Sequence, residues 1–292
     1  MDSILVAIAC IVKKVFLSGG LKMLNGSQRK SNSSYLSLKT LYEENITVKS
    51  IAQELEFCHK NDLALDIQKA MEKKNFDILA VQDQGEIIGY IEREELGEGI
   101  ISEYLRNFSP REMVSDSTPL IQLLHIFKNK TRVFVLENNS IKKLITHADL
   151  QKPPIRMLIF GYITLLEMRM SDIILDRFGD GSWYPMISED RLEKATELYR
   201  RRIDKNEDIN IIECLQISDK FDIIHKDKEL RHFFQIPSKS KGKKDANAIR
   251  KLRDKISHAN ELGLDMSWME IIEVVESCGR LLEISESYHY EK

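Results

Sequence analysis

The sequence predicts an α+β protein in which a duplicated mixed unit is followed by an all-helical domain. Three observations carry this reading. Two segments of the first half share one pattern of apolar runs and turns, with Ile67-Gln68 recurring as Ile121-Gln122 and Leu96 as Leu150, an offset of 54 residues. After Pro153-Pro154 that pattern gives way to long stretches of helical period. The length, 292 residues, suits about two domains at roughly 100–200 residues each.

Composition narrows the class. Apolar residues make up 42% and charged residues 30%, as in ordinary globular chains and unlike disordered or fibrous ones. Lys and Arg (43) nearly balance Asp and Glu (46), for a net charge of −3, which excludes a uniformly basic nucleic-acid binder but not a local basic patch. Cys10, Cys58, Cys214 and Cys278 are scattered without CxxC spacing, so they read as reduced thiols of a cytoplasmic protein and not as zinc ligands. No metal site is expected.

Residues 1–44 read as an apolar segment and linker. Ile4–Val12 is an apolar run closed by Lys13-Lys14, shorter than the roughly 18 residues that span a bilayer. Its positive charge follows the run instead of preceding it, unlike a secretory signal. The run reads as a helix packing on a partner, or as an extension upstream of a natural start at Met23. Membrane contact through residues 4–12 is the less favoured alternative. Asn25–Ser34, rich in Ser, Asn and Gly, reads as a linker.

The duplicated unit spans 45–152. Its first copy runs through an amphipathic helix at Asp62–Met71, a strand at Phe76–Val81, a turn at Asp83-Gln-Gly85, a strand at Ile87–Ile91 and a helix start at Glu92–Leu96. The second runs through Asp116–His125, Arg132–Leu136, Asn138-Asn139-Ser140, Leu144-Ile145 and Thr146–Leu150. This order, spacing and duplication resemble a tandem pair of CBS domains, the module named after cystathionine beta-synthase. The resemblance implies two βαββα units with clefts for adenosine-containing ligands: an AMP- or ATP-like nucleotide or a nucleotide second messenger, acting as a regulator and not as a required cofactor. It places nucleotide binding on Thr146 and Asp149, where a strand meets a helix, with Val133 of the preceding strand. Asp149 would accept from ribose hydroxyls and Thr146 would face the phosphate. Thr146 and Asp149 also have the spacing of a capping box, in which the same groups satisfy free helix N–H groups. The matching positions of the first copy are Glu92 and Glu95, which lack the hydroxyl and would repel phosphate, so one working cleft is expected.

Residues 153–292 read as all-helical. The pattern predicts helices at Ile155–Phe178, at Asp190–Asp204, over Ile209–Phe234 with a break near Asp219, at Gly242–Glu261 and at Met266–Ile284. Pro153-Pro154 is taken to close the preceding domain, because proline cannot continue a helix. Charge is uneven: Ser238–His258 carries eight Lys/Arg against Asp245 and Asp254. Such a run is a solvated face in most proteins, but Lys243, Lys244, Arg250 and Lys251 also suit an RNA backbone.

Directly after them stands Arg253-Asp254-Lys255-Ile256-Ser257-His258, an R-x4-H motif with a polar residue behind the Arg. In the penultimate helix of an all-helical domain it resembles the signature of HEPN domains, the higher-eukaryote-and-prokaryote nucleotide-binding helical bundles. That resemblance implies a metal-independent endoribonuclease built as a homodimer, with Glu167 of the first long helix facing the site. The residue types fit this chemistry. His258 titrates near neutrality and suits general acid–base work on a ribose 2′-OH. Arg253 is a permanent cation for the phosphorane. Asp254 lies four residues from His258 and can orient its ring. Since the 2′-OH is the internal nucleophile, no metal is needed. Asp254–His258 is equally an ordinary surface i,i+4 pair. The expected protein is a nucleotide-regulated ribonuclease, a stress or defence effector with RNA and not DNA as partner. The alternative is a non-catalytic nucleotide-sensing protein whose bundle serves dimerisation.

Overall fold

A computed structural model describes residues 34–257, 262 and 266–288 of the chain. His258, the Ile4–Val12 run and most of the expected linker lie outside these residues. The described residues divide into two compact units, one of 41–155 and one in which those from 156 onward are joined by 34–40. In chain order the regular elements are α1 (Ser34–Glu44), β1 (Gln53–Glu54), β2 (Phe57–His59), α2 (Ala64–Lys74), β3 (Ile78–Asp83), β4 (Glu86–Glu92), β5 (Met113–Ser115), α3 (Leu120–Phe127), β6 (Arg132–Glu137) and β7 (Ser140–Thr146). There follow α4 (Pro153–Arg177), α5 (Glu189–Ile203), α6 (Ile217–Lys226), α7 (Lys228–Phe233), α8 (Lys239–Ser257) and α9 (Trp268–Glu286).

The unit of 41–155 is built twice from one motif. β2 runs parallel to β3, which pairs antiparallel with β4. β5 runs parallel to β6, which pairs antiparallel with β7. The hairpin registers superpose at the offset read from the sequence: Ile78 faces Glu92 as Arg132 faces Thr146, and a bulge follows both Val81 and Val135. Gln84-Gly85 and Asn138-Asn139 all have positive φ, the backbone of a tight hairpin turn that matches strand twist. β1 adds to the outer edge of β7, giving sheet orders β2-β3-β4 and β1-β7-β6-β5. Leu79–Val81 and Val133–Val135 are buried without alternation, as in strands covered on both faces.

The stretch after β4 doubles back along it, where Tyr90 and Arg106 exchange N–H···O bonds of 3.0 and 2.8 Å. Next to Tyr90, Gly89 meets the Arg106 carbonyl and the Leu105 side chain so closely that no Cβ fits. Gly89→Ala is expected to cost about 1–3 kcal/mol, as overpacking does. The midpoint of chemical unfolding reads this, and an unchanged midpoint would show that the strand shifts freely.

In the second unit, α4 supplies the central buried surface through Leu158, Ile159, Ile163, Leu166, Met170, Ile173 and Ile174. Three sequence expectations are corrected. The long helix starts at Pro153 and not at Ile155, so the two prolines that close the preceding unit also form the first turn of α4, where the missing N–H and fixed φ cost nothing. The break expected near Asp219 falls at Leu215-Gln216 and again at Asp227, because Asp219 accepts the Gln216 N–H at 2.9 Å and thereby starts α6. Residues 34–44, taken as the end of a linker, are helical, and the 34–40 part groups with the helical unit: Leu38 packs against Gly161, and Lys39 lies 3.9 Å from Glu283.

Cys58, Cys214 and Cys278 are buried free thiols, and burial pushes Cys58 and Cys278 up to about 12, leaving them inert as nucleophiles. No helix among the described residues is long and apolar enough to cross a membrane.

His225 on α6 is 5% exposed, its Nε2 3.4 Å from Asp222. Desolvation lowers its pKa, against the pull of Asp222 and with the push of Lys226 and Lys239, so the folded unit holds the ring neutral. A base with a depressed folded pKa stabilises fully above its unfolded value, about 6.5, and loses that contribution as pH falls below it. His147 of the other unit shifts in the same direction through burial. Melting temperature is therefore expected to fall on acidification below about pH 6.5, and His225→Gln should flatten part of that fall. An equal acid limb in His225→Gln would remove His225 as its source.

Candidate functional site

The first candidate cluster surrounds the turn after β7. Asp149 is 1% exposed. Its Oδ2 accepts the Thr146 N–H at 2.8 Å and the Thr146 hydroxyl at 3.3 Å. Its Oδ1 accepts from the Gln53 amide and lies 2.9 Å from the Lys152 ammonium. The capping-box geometry that the spacing allows is therefore present, and two partners from outside the motif complete the shell. Val133 has no exposed surface. A sugar hydroxyl reaching Asp149 would have to displace Gln53 or Lys152, while the Val133 side chain is committed to the core. Gln53 and Lys152 escaped sequence reasoning. Gln53 sits 96 residues away on a two-residue strand, and Lys152 was overlooked although it stands only three residues on.

The matching place in the first copy is also occupied. Arg106 reaches Glu95 through Nε at 2.6 Å and Glu92 through Nη1 at 3.1 Å, and Arg132 of β6 pairs with Glu92 as well. Tyr90, Phe108 and Phe134 pack beside them with centroids 4.8–5.4 Å apart, and the Arg132 guanidinium stands 5.5 Å above the Tyr90 ring. The two carboxylates that would repel phosphate are thus neutralised by arginines from the linking stretch and the second copy.

The second candidate cluster lies in the helical unit. Glu167 of α4 faces Arg253 of α8, with Oε2 4.0 Å from Nε. Its other oxygen, Oε1, lies 3.3 Å from the ammonium of Lys220 on α6. Burial lowers the Lys220 pKa, while Glu167 pulls it back up. Sequence reasoning missed Lys220, although a signal existed: it falls on the apolar stripe Ile217, Phe221, Ile224, all buried, where a charge needs a partner.

The other predicted residues separate from this cluster by face. Asp254 is more than half exposed and sits 3.6 Å from Arg250, one turn back. Lys243, Lys244, Arg250 and Lys251 are exposed along α8. The Asp254–His258 pair falls outside what the described residues cover. Among the described residues no group of three His, Cys, Asp or Glu could share a metal ion.

Fold and clusters thus define a chain that joins a duplicated strand–helix–hairpin module to a helical unit in which Lys220, Glu167 and Arg253 lie together. Neither a protein-family model nor a curated protein matches the chain. Solved structures similar to it include a conserved CBS domain protein of unknown function from Thermoplasma acidophilum, at 16% identity and TM-score 0.31, covering 39% of this chain and 75% of that one. The CBS domains of a transcriptional regulator from Streptococcus pneumoniae align at 17% identity and TM-score 0.32, over 36% and 97%. A CBS-pair protein from Arabidopsis thaliana aligns at 13% and 0.31, over 36% and 90%.

Proposed function

We propose that the chain is a metal-independent endoribonuclease of HEPN type, regulated by an adenine nucleotide through a CBS-pair module and active as a homodimer. The approach of Glu167 to Arg253 supports this reading most directly, because it holds the guanidinium of the R-x4-H motif half-exposed on the same helix that carries the exposed Lys243, Lys244 and Lys251. Arg253 would stabilise the charge of the phosphorane, and His258 would take the 2′-OH proton and return one to the leaving 5′ oxygen. Lys243, Lys244, Arg250 and Lys251 would neutralise flanking phosphates, so affinity should fall steeply with salt.

In the regulatory module, an adenosine ligand would exchange its ribose hydroxyls for the Gln53 and Lys152 contacts on Asp149. Purified protein incubated with RNA in EDTA tests the central point: cleavage leaving 2′,3′-cyclic phosphate ends is expected. Uncut RNA would leave the bundle as a binding or dimerisation module.

A further inference from the structure

One face of α4 does not belong to the core. Met157, Thr164, Met168 and Leu175 follow one another at intervals of seven, four and seven residues, so they fall within about 20° of one line on a helix of 3.6 residues per turn. Met157, Met168 and Leu175 are 41%, 47% and 39% exposed, and Thr164 is half-buried. Gly161 and Ser171 stand on the same stripe between them. Leu38 of α1 fills the notch over Gly161, and the Ser171 hydroxyl donates back to the Glu167 carbonyl at 3.0 Å, which uses its polar hydrogen. Six charged residues stand on α4 from Arg156 to Arg177, and all six lie off the stripe. A charge-free apolar stripe about 27 Å long, at 1.5 Å per residue, is costly to leave in water and marks an interface.

The order of sizes along the stripe says what fits it. About position 166 it reads alike in both directions: an antiparallel second α4 would set Met157 opposite Leu175, Gly161 opposite Ser171 and Thr164 opposite Met168. Large side chains then meet at both ends, small ones meet between, and each central methionine packs on a threonine. An unrelated partner would impose no such symmetry, whereas a two-fold interface brings the same patch of both chains together. Antiparallel packing also sets unlike helix-dipole ends side by side. We propose that this stripe is the face through which two copies of the chain associate, α4 against α4 in opposite directions. It gives the homodimer of the reading above its contact surface, and it rests on that homodimer and not on its catalysis.

Light scattering on the full chain reads the association. Wild type should be a dimer, and Met168→Glu should weaken it by more than about tenfold, because two carboxylates enter the centre of an apolar seam. The circular dichroism of Met168→Glu should be unchanged, since the side chain is exposed in the single chain. Cross-linking reads the register independently, in a Cys10→Ser background where Cys58, Cys214 and Cys278 are buried. Met157→Cys mixed with Leu175→Cys should be joined by a short bismaleimide. Either variant alone should not, because in this register each position stands about 27 Å from its own copy. A dimer unmoved by Met168→Glu, or Met157→Cys joined to itself, would overturn this surface and leave the homodimer standing. A monomeric wild type would overturn both and leave the stripe to solvent or to a segment of the same chain such as Ile4–Val12. RNA cleavage is followed in parallel: a wild type with the expected dimer and cross-link that leaves RNA uncut refutes the ribonuclease reading alone.

Discussion

On the proposed ribonuclease reading, His258→Ala and Arg253→Ala are each expected to abolish RNA cleavage, with a loss of about 10³-fold or more, while the folded protein persists. Positioned acid–base groups contribute about 10²–10⁴-fold and charge stabilisation at a developing oxyanion a similar factor, so the loss of either exceeds ordinary surface effects. The fold should survive in Arg253→Ala because the side chain is 36% exposed and leaves Glu167 with its closer partner, Lys220 at 3.3 Å. Cleavage should persist in EDTA, since the attacking hydroxyl belongs to the substrate. The products should carry 2′,3′-cyclic phosphates. Rate measurements on a labelled RNA, with unfolding midpoints of both variants, check this. Full activity in His258→Ala, or a strict requirement for a divalent cation, would refute the mechanism.

The largest expected effect on stability belongs to Asp149. Asp149→Ala leaves the Thr146 N–H, the Gln53 amide and the Lys152 ammonium without their shared acceptor in a nearly water-free place. A lost charge-assisted bond with unpaired donors costs about 2–4 kcal/mol, reduced here because Lys152 is one-third exposed and can turn to water. Asp149→Asn, which keeps one acceptor oxygen, should lie between. Chemical unfolding followed by circular dichroism measures this, and wild-type stability in Asp149→Ala would mean that the shell around the carboxylate is replaceable.

The same variants report on the ligand. Millimolar AMP or ATP should raise the melting temperature of wild type by mass action, leave Asp149→Asn with a smaller rise, and act on Glu92→Ala as on wild type. No rise with any adenine nucleotide would confine Thr146 and Asp149 to capping.

The duplicated half was legible almost residue by residue. Strand patterning and turn residues act within a few positions of each other, so Ile78–Val81 with Gln84-Gly85, and Arg132–Val135 with Asn138-Asn139, announce their hairpins locally, down to the shared bulge. Helix existence in the second half was equally local, but its punctuation was misread at two points. The prolines mark the end of the first unit as expected but already belong to the first turn of α4, and Asp219 reads as a break where its carboxylate caps α6.

The chemistry divides along the same line. Residue types and spacing along one helix were enough to single out Arg253, Asp254 and the lysines of α8 as a polar row, and Glu167 as a carboxylate out of place in an apolar helix. Tertiary packing alone decided which of them meet. It set Glu167 against Arg253, slid Lys220 beneath them from a third helix, turned Asp254 out toward Arg250, and brought Gln53 across 96 residues to Asp149. Periodicity records only which face of an element avoids water. The pairing of charges depends on distances between elements far apart in the chain, and a buried charge such as Lys220 shows its partner only once those elements are packed.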